Sequence, residues 1–343
     1  MTWSAFRVIF RLCTPLHAGW RRVGNTWQTR TYLPAVNLFK AVVARCTEKQ
    51  IWFESGDEPN PYIRKQNWLQ HRLLFTYFFP AIYHQGKYQV YIPGPCDRRL
   101  IEYMFLDCYG GTSLNHAAST ALDGSLHYVE YIRPFARSLS KHVPSQESID
   151  SYGNPGIPTL LYGYCFFKVQ DSANGCSKGS SDVGNLLRQV LKNIQVGGER
   201  SSGWGKLTLA GDGFKELGEI PSDTSPAMDL FTVVNLGGPL ARLYMKSGSP
   251  CIKVGGQEKK KEGYIPAHLK AEPGLVTIRG RNEMLYTRET ITVKGRTQFG
   301  GRTRAIPCLA PGAVVQVEGD KHGGSCFRIE PVSCIWKHDS INS

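Results

Sequence analysis

Two stretches of this 343-residue chain combine arginine, tryptophan and glycine in a way that suits binding of a polyanion. Residues 17–34 read "HAGWRRVGNTWQTRTYLP", and residues 195–209 read "QVGGERSSGWGKLTL". Cationic side chains bind phosphate, aromatic rings stack on bases, and glycine allows a backbone to lie close to a ligand. Both stretches therefore predict contacts with RNA. The alternative for both is structural: anchoring tryptophans in a surface loop, and glycines that only turn the chain.

The predicted RNA contacts lie in these two stretches, in the helix that follows the first, and near the carboxyl end of the chain. They are His17, Arg21, Arg22, Arg30, Lys40, Gly197, Gly198, Arg200, Ser201, Gly203, Trp204, Lys206, Arg302 and Arg304.

Composition agrees with a polyanionic partner. The chain has 41 Lys and Arg against 28 Asp and Glu, a formal net charge of +13, and 41% of its residues are hydrophobic. Such a chain folds around a core and attracts nucleic acid. No apolar run reaches the roughly 20 residues of a membrane span, and the first residues lack the pattern of a signal peptide. We expect a cytoplasmic protein.

The ten cysteines lie singly along the chain, without the paired spacing of a zinc site. We expect them to be reduced and mostly structural. Neither a metal nor a small-molecule cofactor is predicted.

The elements that position the candidate residues follow from periodicity. Residues 6–16 alternate as a strand, residues 35–52 have helical spacing with Asn37 as a candidate N-cap, and residues 97–111 read as a helix closed by glycines. Residues 159–170 read as a strand and residues 183–196 as a helix, followed by the second glycine-rich stretch and a strand.

These two units, each strand, helix and strand, predict an α+β fold. We expect a ferredoxin-like (RNA-recognition-motif-like) domain over residues 1–215, with an insertion near 110–158, and a β-rich domain over 216–343. Residues 73–83, "LLFTYFFPAIY", suit either subunit docking or this chain's own core.

Several of these segments resemble one family. "FRLCTPLHAGW" followed by "TRTYLPAVNLFKAVVA" is similar to the amino-terminal pattern of the RAMP superfamily of CRISPR-associated proteins, and "GGERSSGWGKLTL" resembles that superfamily's glycine-rich loop. "GGRTRAIPCLAPGAVVQVEG" resembles a late strand in the subunits that cap the guide's 5′ handle in type III effector complexes.

The resemblance implies an RNA-binding subunit of a type III antiviral ribonucleoprotein complex, either of the handle-capping or the backbone type. Its partners would be CRISPR guide RNA, target RNA and other protein subunits. The chain departs from the family where Pro34, Ala35 and Val36 replace the expected Pro-Gly-Ser. Residues 13–36 also lack the aspartate that target-cutting members carry, so target cleavage there is not expected.

Two alternatives remain open. Family members that process guide precursors cleave RNA by metal-independent acid–base chemistry, and His17 with Tyr32 and Lys40 could form such a site. A turn histidine held by backbone groups is the structural alternative. The chain could also be a basic scaffold that acts through protein contacts alone, and salt dependence would separate that case from RNA binding.

Overall fold

The computed structural model describes most of the chain. The described residues are 2–51, 58–115, 120–121, 124–137, 156–169, 180–222, 225–233, 238–254, 256–257, 262–270, 277–285, 288–293, 296–302, 305–316, 326–330 and 335–338.

The first part of the chain alternates strands and helices. In chain order its elements are β1 (Thr2–Leu12), β2 (Gly19–Val23), β3 (Thr26–Thr29), α1 (Ala35–Glu48), α2 (Pro61–Leu69), β4 (Leu73–Phe75), β5 (Phe79–His84), β6 (Lys87–Val90), α3 (Arg98–Phe105), β7 (Leu106–Gly111), β8 (Leu114–Asn115), β9 (Thr120–Ala121), β10 (His127–Ile132), β11 (Phe135–Ala136), β12 (Ile157–Pro158), β13 (Leu160–Val169), α4 (Ser180–Leu191), β14 (Asn193–Gln195), a 3₁₀ turn (Arg200–Ser202) and β15 (Lys206–Glu219).

Every regular element described after residue 222 is a strand. These are β16 (Met228–Val233), β17 (Gly238–Lys246), β18 (Ser249–Val254), β19 (Gly256–Gln257), β20 (Glu262–Tyr264), β21 (Leu269–Lys270), β22 (Thr277–Arg279), β23 (Asn282–Leu285), β24 (Arg288–Val293), β25 (Arg296–Arg302), β26 (Ile306–Leu309), β27 (Val314–Gln316), β28 (Cys326–Ile329) and β29 (Trp336–His338).

The main sheet has the order β14-β15-β1-β13-β5-β6, with β4 also paired to β13. The central strand β1 runs antiparallel to both β13 and β15. Helix α1 contacts α2, α4 and β4, and α4 contacts β15. The predicted α+β class is confirmed.

The local sequence explains α1. Its buried side chains recur at three- and four-residue intervals and form one apolar stripe: Ala35, Leu38, Phe39, Val42, Val43 and Cys46. Pro34 is the N-cap residue, and Asn37 lies inside the first turn, where its N–H donates to the carbonyl of Pro34. The predicted Asn37 cap is therefore wrong, because the helix already begins at Ala35, directly after Pro34.

Helix α3 is shorter than predicted. It begins after the cap Asp97, whose side chain accepts from the N–H of Arg99, and it ends at Phe105. The predicted remainder of that helix is strand β7, which pairs with β10. This correction matters because β7 belongs to a second sheet, of order β2-β3-β10-β7.

The remaining strands form an eight-stranded sheet (β16-β17-β18-β28-β29-β21-β26-β23), a four-stranded sheet (β19-β20-β27-β22) and the pairs β24-β25, β11-β12 and β8-β9. Buried apolar side chains from residues before and after 216 belong to one cluster. The domain boundary at 215/216 stays a prediction, and β15 runs across it.

Residues 73–83 belong mainly to the core. Phe75, Tyr77, Phe78 and Phe79 are buried, and only Tyr83 of these aromatics is exposed. Burial in the chain's own core thus accounts for most of this apolar segment.

The cysteine prediction needs one correction. Cys251 is disulfide-bonded, whereas Cys13, Cys46, Cys96, Cys108, Cys165 and Cys308 are free thiols.

Candidate nucleic-acid interface

The first basic stretch forms a β-hairpin. Strands β2 and β3 pair around a tight turn in which Gly24 has φ of +57°, a left-handed conformation that glycine adopts without steric cost. The Arg21 Nε atom donates to Gln28 Oε1 at 2.7 Å, and the Arg22 Nε atom donates to the Gly24 carbonyl at 2.9 Å. Both guanidinium groups are therefore positioned on an exposed hairpin.

An exposed aromatic row runs across the second sheet. Trp27 of β3 and Tyr109 of β7 both pair in register with Val129 of β10, so the three side chains share one face. Trp27 is 47% exposed and Tyr109 is 57% exposed, while Val129 between them is buried. The Arg22 guanidinium lies 5.7 Å from the Trp27 ring centre. We call Arg22, Trp27, Val129 and Tyr109 the aromatic row.

The glycine-rich loop joins this row through Trp204. The ring centre of Trp204 lies 6.2 Å from that of Tyr109 and 5.2 Å from that of Tyr131. The two stretches predicted to bind RNA are thus brought together at this sheet.

Three tyrosines of this sheet were not among the predicted contacts. Tyr109, Tyr128 and Tyr131 lie in β7 and β10. Tyr128 is 42% exposed on the opposite face, where its ring covers Gly110. The alternation in "HYVEYI" signals a strand with tyrosines on both faces, but it falls in the region that was predicted as an insertion.

Most glycines of the second stretch are required by packing within the chain. A Cβ atom at Gly197 would lie 2.6 Å from the His17 carbonyl oxygen, and one at Gly198 would lie 2.9 Å from the His17 ring. At Gly205 it would lie 1.8 Å from the Val196 oxygen. Only at Gly203 does the missing side chain face open space. The structural alternative therefore explains Gly197 and Gly198, and their predicted contact with RNA stays a prediction.

Several solvent-facing positions of this loop are basic or uncharged polar residues. Arg200, Ser201 and Lys206 are exposed, and Trp204 is half-buried. The backbone N–H of Lys206 donates to Thr14 Oγ1 at 2.9 Å, and the Lys206 side chain is exposed. These residues have the exposure that phosphate contacts need.

His17 is held by the protein backbone. Its side chain is buried, and Nδ1 lies 2.7 Å from the Glu130 carbonyl oxygen, so Nδ1 donates the proton. Its own carbonyl accepts from the Gly198 N–H at 2.9 Å. These contacts are those of the structural alternative, a turn histidine that fixes the loop.

Tyr32 and Lys40 have different surroundings from His17. Tyr32 is buried and stacks on Tyr77 at 5.5 Å between ring centres. Burial raises its pKa, and the nearby Arg30 charge only partly opposes this shift. Lys40 lies in α1 and is half-buried. An acid–base site built from His17, Tyr32 and Lys40 stays a prediction that these contacts do not favour.

Arg30 has an internal role. Its guanidinium pairs with Glu283 and donates to the carbonyl of Gly19, and the two charged side chains are 12% and 7% exposed. The Glu283 carboxylate also lies 3.3 Å from His268 Nε2, while the Tyr77 hydroxyl forms a hydrogen bond with His268 Nδ1 at 2.7 Å. Arg30 was predicted to contact RNA, but its charge is buried and paired.

The remaining predicted contacts lie near the carboxyl end. Arg302 is the last residue of β25, which pairs only with β24 among the described strands, and Arg304 lies outside the described residues. The described part of the chain contains no group of three or more metal-binding side chains that could hold a metal ion. Among the described helices, none combines the length and apolar character needed to cross a membrane.

Comparison with known proteins gives weak structural similarity alone. No protein-family model and no curated protein matches the chain. A chain of type III-B Cmr-beta bound to cognate target RNA and AMPPnP aligns over 90% of this chain and 86% of its own length, with 8% identity and a TM-score of 0.45. A chain of Cmr-beta bound to cognate target RNA covers 98% of this chain and 100% of that one, with 9% identity and a TM-score of 0.41.

A chain of apo Cmr-beta covers 60% of this chain and 96% of its own length, with 9% identity and a TM-score of 0.33. The structural similarity of all three chains to this one is therefore weak. Similarity at these TM-scores is too low to assign a function, so a functional assignment has to rest on the interface residues themselves.

Proposed function

We propose that this chain is an RNA-binding subunit of a type III CRISPR effector complex. It grips guide RNA near the 5′ handle and contacts neighbouring subunits and target RNA. In this proposal residues 1–215 form a ferredoxin-like unit. The strand order β15-β1-β13-β4/β5, with α1 after β1 and α4 after β13, supports that assignment.

The single observation that carries the proposal is the aromatic row. Trp27 and Tyr109 present exposed rings on one sheet face, with Arg22 over the Trp27 ring. Aromatic rings with flanking cations bind single-stranded nucleic acid, because every base has a π-face and every phosphate a negative charge. Sheets that expose aromatic residues in this way are a common RNA-binding surface.

The charge around the row supports the same ligand. Asp107, at the start of β7, is flanked by Arg133 at 3.5 Å and Arg137 at 3.1 Å, so its negative charge is offset. Arg200 and Lys206 of the neighbouring loop are exposed. Glu199 is an exposed acid in that loop, and the basic residues around it outnumber it.

Removing an aromatic side chain of the row should lower the affinity of the protein for RNA. Trp27→Ala and Tyr109→Ala should each weaken binding of a labelled single-stranded RNA by about 5- to 100-fold, because each removes a stacking partner. Fluorescence anisotropy at fixed salt measures this change. The matched control is Tyr83→Ala, since Tyr83 is 55% exposed but lies in β5 of the main sheet.

Equal affinities for the wild type and both row variants would contradict the proposal for this surface. A loss with Tyr83→Ala as large as that with Tyr109→Ala would place the RNA elsewhere on the molecule.

A further inference from the structure

Three arginines from separate segments meet at one ring. The guanidinium carbons of Arg21 in β2, Arg98 at the start of α3 and Arg281 just before β23 lie 4.1, 5.7 and 4.5 Å from the ring centre of Trp20. We call these four residues the Trp20 cluster. The fold thus brings together three positive charges that are far apart in the sequence.

The described acidic neighbours do not balance this charge. Glu102 pairs with Arg98 at 2.6 Å, and Glu283 lies 3.6 Å from Arg281. Glu283 is shared, however, because the buried Arg30 guanidinium also pairs with it. In the described contacts, the three guanidinium groups of the cluster and that of Arg30 thus face only two carboxylates, those of Glu102 and Glu283.

The like charges affect one another. Burial lowers the pKa of Arg281, and the nearby charges of Arg98 and Arg21 lower it further, while Glu283 opposes the shift. Cation–π contact with Trp20 compensates for part of the repulsion between the guanidinium groups. A bound anion would compensate for it more fully, because guanidinium groups pair with phosphate through two parallel hydrogen bonds.

The cluster is open to solvent and lies on the same hairpin as Arg22 and Trp27 of the aromatic row. The side chains of Arg98 and Arg281 are 50% and 44% exposed. Both features share β2, the edge strand of the second sheet, but the register shifts between Gly19 and Arg21, and Arg21 pairs with Gln28 while Arg22 pairs with Trp27. The cluster therefore lies on the opposite face of the hairpin from the aromatic row. A single strand of RNA stacked on Trp27 reaches the cluster with its backbone by crossing the β2 edge of this sheet.

We propose that Arg21, Arg98 and Arg281, arranged around Trp20, form a binding site for a phosphodiester phosphate of the RNA strand. The inference rests on the proposed function and adds a phosphate site that the prediction from sequence lacked, since Arg98 and Arg281 were not candidates. The structural alternative is that the three side chains only pack on Trp20 as a surface cover.

The test compares Arg21→Gln, Arg98→Gln and Arg281→Gln with the matched control Arg99→Gln. Arg99 is exposed, has the same charge and lies about 100° around the helix from Arg98. RNA affinity is measured by anisotropy over a series of salt concentrations. Each cluster variant should lose about 5- to 10-fold in affinity at low salt and lower the salt slope by about 0.7, whereas Arg99→Gln should change both much less.

The outcomes separate the inference from the function on which it rests. If the wild type binds RNA and the cluster variants match Arg99→Gln, the phosphate site is wrong and RNA binding stands. If the wild type binds no RNA, the proposed function fails and the site fails with it. Arg98→Gln keeps the test valid if Arg281→Gln misfolds, because Arg98 is on the helix surface.

A second arm identifies the source of the phosphate. The melting temperature of the wild type and of Arg98→Gln is measured with increasing inorganic phosphate. If phosphate stabilises only the wild type while both proteins bind RNA equally, the cluster takes a free phosphate group, and the assignment to the RNA backbone is overturned.

Discussion

Arg30 and Glu283 show how single residues in this chain change their role when the fold is known. Sequence alone places Arg30 in a basic, aromatic loop, and an RNA contact is the natural prediction. Its partner lies 253 positions later in the chain, and no local pattern reveals that pairing. Arg21 and Arg22 of the same stretch, in contrast, are exposed, as a contact with RNA requires.

Loss of the Glu283 charge should be strongly destabilising. Glu283→Gln leaves the buried Arg30 guanidinium without its counter-charge, and we expect the free energy of unfolding to fall by about 3–5 kcal/mol. Urea denaturation measures this change. The matched control is Glu48→Gln, because Glu48 is 73% exposed and 3.9 Å from Arg45, so its loss should cost about 0.5 kcal/mol or less.

The same carboxylate predicts the response to acid. Burial alone would raise the pKa of Glu283, but the His268 hydrogen bond and the Arg30 charge outweigh it and lower the pKa to about 2 from an ordinary 4.5. A carboxyl group whose pKa is lower in the folded state stabilises the fold above its unfolded pKa. That stability, about 3 kcal/mol, is lost as the pH falls from 4.5 towards 2.

His268 extends this loss to milder acid. Burial lowers its pKa below the ordinary 6.5, and Glu283 only partly opposes the shift. The unfolded chain therefore binds a proton more readily than the folded one, and stability declines as the pH falls below about 6.5. Denaturation profiles at several pH values should show both losses in the wild type. If Glu283→Gln lost as much stability as the wild type between pH 4.5 and 2, the assignment of that loss to Glu283 would be contradicted.

At the scale of elements, the glycine-rich loop is positioned by backbone contacts. The Gly205 N–H donates to the Pro15 carbonyl at 2.7 Å, and the Val196 N–H donates to the Gly205 carbonyl at 2.9 Å. The loop is therefore fixed against the start of the first basic stretch. Its glycine content was visible in the sequence, but the reason for each glycine depends on which segment lies opposite.

Two glycines of this loop should respond differently to the same change. Gly205→Ala places a Cβ atom 1.8 Å from the Val196 oxygen, at a φ of +74°, and should prevent the loop from packing. Gly203→Ala meets open space at a φ of +84°, so only the left-handed backbone costs stability, about 1–2 kcal/mol. Thermal melts compare the two, and equal melting temperatures would refute the packing role of Gly205.

The second sheet was beyond sequence-based prediction for a physical reason. Strand β3 pairs in parallel with β10, about 100 residues later, through only two residue pairs. Short strands joined at that separation leave no periodic signal that specifies their partner. Strands β1, β13 and β15 and helices α1 and α4, in contrast, have long apolar repeats, and these five elements were predicted in the correct order. The helix predicted over 183–196 was wrong at its end, because α4 stops at Leu191 and residues 193–195 pair with β15 as strand β14.

At the scale of the whole molecule, the α+β class and the excess of basic residues were both accessible from sequence. The contacts between the two predicted domains were not. The Phe231 N–H donates to the Tyr164 hydroxyl at 3.0 Å, and the Phe231 ring packs on Tyr164 at 5.0 Å between centres. These contacts join β16 to β13, so β16 packs directly against the main sheet.

The measurement that most directly tests the central claim is recovery of RNA with the protein. The chain is purified at low salt from cells that carry its neighbouring genes, and the bound RNA is sequenced. The account predicts a multi-protein particle containing short RNAs with a shared 5′ segment, and release of that RNA from the isolated subunit at high salt. A monomer that carries no RNA, or only unrelated RNA, would contradict it.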